Sequence, residues 1–152
     1  KGPLSAPLAA GAVVMATMAF VIPKFMAVWT IPLLANAEAT GGTGAAMAAV
    51  LLPLLNVSIP FSLYTSFDYM GFWLYALFAV LTMRSLYGSD TLAKVTATLV
   101  GLFGVGFHVA LACLLLGVIQ APDIEISFGL SFIPLLVLIL ILPITFWRDL
   151  KE

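Results

Sequence analysis

His108 is the one imidazole in the chain, near the middle of Val95–Pro122, a run of 28 residues with no acidic or basic side chain. A ring nitrogen in such a setting suits three kinds of chemistry. It can be an axial ligand to haem iron or chlorophyll magnesium. It can relay a proton. It can also be a neutral hydrogen-bonding group between helices, which is the plainer reading. Two-histidine and Cys–His metal sites within the chain are excluded. There is no second histidine, and the single cysteine, Cys113, stands five residues on, about 140° round a helix. A partner for the imidazole is therefore expected from another helix, another subunit or a cofactor.

A second constellation is Pro53, Asn56, Ser58 and Pro60. Each proline removes a backbone N–H and frees a carbonyl. Freed carbonyls beside Asn56 and Ser58 make a candidate polar site of the kind broken helices form in transporters. The plainer reading is a kinked helix whose gaps are filled by Ser58 and Ser62. Asp68 joins the candidate polar residues. It stands among Tyr64, Tyr69 and Trp73, and reads alternatively as a loop acid at headgroup level. Asp123 and Glu125 alone cannot hold a calcium ion, which takes six or more oxygens. No nucleophile–base pair is apparent, so no enzyme activity is expected. Gly101-x-x-Gly104-x-Gly106 lacks the preceding strand of a phosphate-binding loop.

The elements that must carry these residues follow from composition. Of 152 residues, 63% are hydrophobic and 9% charged. A soluble domain has about 25% charged residues, so this chain could not cover a water-facing surface. The formal charge of −1 leaves no basic face for nucleic acid. Charged residues divide the chain into apolar runs, several reaching the ~20 residues that cross a bilayer. Five helices are expected, about Pro7–Ile22, Gly44–Tyr64, Tyr69–Ser85, Thr91–Ile119 and Phe128–Trp147. The third has only 15 uncharged residues, Tyr69–Met83, so Arg84 must snorkel to the headgroups. Phe25–Leu34, between Pro23 and Pro32, reads as a short interfacial segment or a re-entrant continuation of the first helix. The fold class is thus all-α: a polytopic transmembrane bundle of about five helices (four to six), one domain over residues 1–152.

Local signals mark boundaries. Gly88-Ser89-Asp90 is a turn and N-cap before the fourth helix, and Ala121-Pro122-Asp123 stops it. Gly41–Gly44 is a glycine-rich turn before the second. Phe146-Trp147-Arg148 is an interfacial anchor. With five crossings and the C-terminus on the cytoplasmic, matrix or stromal side, five of the six basic residues fall inside and only Lys1 outside.

The fourth helix carries small residues at four-residue spacing, Ala97 with Gly101 and Gly106 with Ala110, supplemented by Gly104 and Ala112. Such positions let two helix backbones approach closely in lipid.

Phe67-Asp68-x4-Trp73, then Leu86-Tyr87-Gly88-Ser89 and Ala93, resembles the later half of Yip1-type membrane domains, over about 35 residues. The resemblance implies a five-helix, non-catalytic membrane protein that works through partners.

The leading expectation is a non-catalytic accessory or scaffold subunit of a larger membrane complex, with the bilayer and other membrane subunits as partners. The alternatives are a small permease or channel subunit with a Pro-broken helix, and a haem- or chlorophyll-ligating subunit through His108.

Overall fold

The computed structural model describes residues 4–149. Its helices are α1 (Ser5–Val28), α2 (Thr30–Thr40), α3 (Ala45–Leu54), α4 (Leu63–Leu86), α5 (Thr91–Leu115), α6 (Ile124–Ser131) and α7 (Ile133–Asp149), with a 3-10 turn at Ala121–Asp123. Among the described residues there is no strand. Four helical runs are long and apolar enough to cross a membrane: Ser5–Thr40, Leu63–Leu86, Thr91–Leu115 and Ala121–Ile141. Lys1 and Lys151, which the orientation reading counts, lie outside the described residues, as do the Arg148 side chain and the Phe146 ring.

Prolines set the junctions. Trp29 separates α1 from α2 with φ −115° and ψ −65°. Three residues on, Pro32 has no N–H to offer the Val28 carbonyl. Phe25–Leu34 is therefore helical on both sides of Trp29. Ser5–Thr40 has 36 residues, or about 54 Å of helix against a hydrocarbon core of about 30 Å.

The expected helix Gly44–Tyr64 is corrected: α3 ends at Leu54 after ten residues, about 15 Å of helix and too short to cross. Pro53 weakens its last turn, and Asn56 then redirects the backbone. The Asn56 Oδ1 accepts the Ser58 N–H at 2.9 Å, and the Asn56 carbonyl accepts the Ile59 N–H at 3.1 Å. The side chain thus competes with helix continuation. Buried Ser62 restarts the helix as a cap, its Oγ accepting the Thr65 N–H at 3.2 Å. The helix expected at Tyr69–Ser85 consequently begins at Leu63.

Asp90 caps α5, its carboxylate accepting the Ala93 N–H at 2.6 Å. The far end of α5 comes four residues earlier than expected. Gly117 takes φ 72°, and the Val118 N–H reaches back to the Cys113 carbonyl at 2.8 Å. That is a glycine-terminated helix end of the Schellman type.

Contacts divide the chain into two units, Val14–Phe72 and the residues on either side of it. In Val14–Phe72, α2 and α3 form a hairpin through the Gly41–Gly44 turn, where Gly41 and Gly44 have φ of 65° and 94°. Phe20 meets Phe72 edge-on at 4.8 Å. In the other unit, α6 and α7 pack on α5. Phe107 and Phe128 are fully buried and meet edge-on at 4.7 Å, with Phe103 and Phe132 extending the aromatic stack. The side chains pointing outward are also apolar: Leu136, Ile139 and Leu140 are all exposed. Such a surface is suited to lipid rather than water.

Candidate functional site

The break between α3 and α4 opens a cleft of about 730 Å³ inside the Val14–Phe72 unit. Ala27 and Ile31 line it from α1 and α2, Ala49 and Pro53 from α3, and Asn56 and Tyr64 from the connection and α4. Its polarity has a local origin. Pro53 has no N–H to give the Ala49 carbonyl one turn back. The Asn56 Oδ1 is engaged by Ser58, so its amide NH₂ is the group left to donate outward. Glu38 also lines the cleft. The unit's only charged residues are Lys24, Glu38 and Asp68, and the first and last are paired with each other.

That pair is tight. The Lys24 Nζ donates to the Asp68 Oδ1 at 2.8 Å and to Oδ2 at 3.0 Å, and it lies 4.9 Å from the centre of the Tyr64 ring. A cation over an aromatic face is attracted by the ring quadrupole. Tyr64 therefore links the ion pair to the cleft, because it also lines the cleft wall.

This contact corrects two expectations. Asp68 is not in a connection between helices but in the second turn of α4. The five-crossing arrangement put Lys24 and Asp68 on opposite membrane faces. Side chains 2.8 Å apart share one level, so no complete crossing separates them. Of the expected polar set, Asn56 and Ser58 come together in one turn, while Asp68 turns to Lys24. Glu38 and the Lys24–Tyr64 contact lie outside the expected set, and Lys24 falls within α1 rather than at its end. The available signal was that Lys24 and Asp68 are lone opposite charges bounding uncharged runs.

His108 lies in the other unit, half-buried on α5. Its Nδ1 stands 2.7 Å from the Gly104 carbonyl one turn back, and Trp73 meets the ring edge-on with centroids 6.5 Å apart. A carbonyl only accepts, so in the neutral ring the proton is on Nδ1 and Nε2 carries the lone pair. The partner expected from elsewhere is supplied by the imidazole's own helix. As a macrocycle ligand His108 would offer Nε2 alone, and no group of three metal-binding side chains exists among the described residues.

The small-residue face of α5 is used within the chain. A Cβ on Gly104 would lie 2.8 Å from Val80 Cγ2 and 2.9 Å from the Ala76 carbonyl, so α4 backbone presses directly on it. On Gly101 it would meet the Met83 sulfur at 3.1 Å. Ala97 and Ala110 are buried as well. Gly106 is looser, with Ser131 the nearest neighbour at 3.8 Å.

What the fold and these sites define is an all-helical chain with four helices of membrane-spanning length and character. Comparison with protein-family models, curated proteins and solved structures finds no match. The Yip1-type resemblance rests on its residues alone.

Proposed function

We propose that the chain is a multi-pass integral membrane protein without catalytic activity, and that it binds a small molecule in the Asn56 cleft as a permease or channel subunit. The observation that carries this reading is the break at Pro53–Asn56. It leaves a cleft of about 730 Å³ in which Asn56 and Glu38 stand among mainly apolar residues such as Leu52, Pro53 and Ile59. Discontinuous helices serve membrane transporters in this way. Within the chain, α4 packs on part of the small-residue face of α5, at Gly101 and Gly104.

Four crossings suit the charges. Arg84, Lys94 and Arg148 then fall on one side with the C-terminus, which the positive-inside rule makes the cytoplasmic, matrix or stromal side. Lys24 falls on the other, where Asp68 neutralises it.

Thiol accessibility tests the cleft. In a Cys113→Ser background, Asn56→Cys and Ala49→Cys in membranes should react with a membrane-impermeant maleimide, while Val109→Cys on the outward face of α5 should not. Equal protection at all three positions rejects the cleft.

His108 carries a second reading, ligation of haem or chlorophyll, favoured by its exclusive Nδ1–H bond and bare Nε2. The absorbance of the natively purified protein should then change with His108→Leu. An unchanged spectrum at full pigment content would rule ligation out.

A further inference from the structure

We infer that a second groove, on the α4–α5 face, is a binding site for one anionic phospholipid, with the phosphate at Arg84 and an acyl chain along the floor. The groove has a volume of about 700 Å³ and lies wholly within one unit. Its lining changes character along α5. At one end stand Arg84, in the last turn of α4, with Tyr87 and Thr98. From there the floor runs over Gly101 to Leu102 and Val105 and is apolar throughout. Thr98 to Val105 is seven residues, about 10 Å of helix. An elongated groove that is cationic at its mouth and apolar along its length fits a ligand with the same polarity gradient.

Three details make the mouth a receptor for phosphate. Arg84 has no ion-pair partner among the described residues. Its guanidinium presents a planar fork of donors that matches a phosphate diester. The Thr98 hydroxyl donates to the Lys94 carbonyl at 2.8 Å, which leaves the donors at the mouth to Arg84 and the Tyr87 phenol. Arg84 also follows the short uncharged stretch Tyr69–Met83, so it stands where a spanning α4 meets the headgroups. Basic pockets between transmembrane helices on the positive side of a membrane recognise anionic headgroups. Gly101 and Met83 both line the groove, and a Cβ on Gly101 would lie 3.1 Å from the Met83 sulfur. This site is independent of the Asn56 cleft and needs only that α4 and α5 lie in a bilayer.

The test uses the full chain in mild detergent, with thermal stability read as phosphatidylglycerol, phosphatidylcholine or inorganic phosphate is added. Phosphatidylglycerol should stabilise at concentrations about tenfold below phosphatidylcholine, and inorganic phosphate should have no effect. Arg84→Gln should erase the preference between the two lipids, and Arg84→Lys should retain part of it. Lys94→Gln, which removes a nearby charge outside the groove, should leave it intact. Equal response to both lipids overturns the proposal. So does an effect of Lys94→Gln as large as that of Arg84→Gln, which would mean diffuse surface attraction. Stabilisation by inorganic phosphate alone would reassign Arg84 to a free-anion site.

Discussion

Lys24 and Asp68 stand 44 positions apart in the chain, yet the lysine ammonium donates to both oxygens of the aspartate, at 2.8 and 3.0 Å. The pair ties α1 to α4 within the Val14–Phe72 unit. It also pairs two opposite charges within long, largely apolar helices. Removing one partner leaves the other uncompensated. Lys24→Leu and Asp68→Leu should each lower stability by about 1 kcal/mol. The double Leu variant should recover most of the loss, and the charge-swapped pair should recover it too. Thermal unfolding of the four variants in one detergent, arranged as a double-mutant cycle, measures the coupling. Additive losses would show that the pair contributes nothing beyond its members.

Gly104→Ala should be costly where Gly106→Ala is not. The new methyl at Gly104 would sit 2.9 Å from the Ala76 carbonyl, a backbone atom that cannot move without displacing α4. Overpacking of this kind costs about 1–3 kcal/mol. At Gly106 the nearest atom is 3.8 Å away, ordinary contact distance. Melting temperatures of the two variants should separate clearly. Similar values would place the tight helix contact elsewhere.

The His108 ring should be a single tautomer. Solid-state ¹⁵N spectra of the protein in lipid, with the ring neutral, should show a protonated Nδ1 and a bare Nε2. Only that form can donate to the Gly104 carbonyl. A signal for a protonated Nε2 would contradict the bond. His108→Leu should cost only the about 0.5–1.5 kcal/mol of one hydrogen bond.

Thr96→Val should be neutral or stabilising by about 1 kcal/mol. The Thr96 hydroxyl oxygen is buried and has no hydrogen-bond partner. Valine has nearly the same shape and carries no polar group to desolvate. A large loss of stability would show that the hydroxyl has a partner in the membrane.

Helix content was legible because long uncharged runs leave a chain few other solutions. The Asp90 cap was legible for the same local reason: a short acidic side chain before an apolar run meets free N–H groups. The end of α3 was not. An apolar run from Gly44 to Tyr64 looks continuous by composition, while Asn56, Pro60 and Ser62 act through geometry that composition does not weigh. The end of α5 precedes the expected stop at Pro122 because Gly117 takes a left-handed conformation, which ends a helix as effectively as proline. The small-residue face of α5 was visible as a contact surface, but its occupant was not, since spacing along one helix does not say which helix covers it. The Lys24–Asp68 pair was hidden because it depends on where α3 ends.

That pair also sets a clock on synthesis. Lys24 leaves the ribosome well before Asp68, and at 5–20 residues per second the 44-residue lag lasts about 2–9 s. During that interval α1 has a cation and no counter-ion. Only when α4 emerges does Asp68 bring α1 its counter-ion.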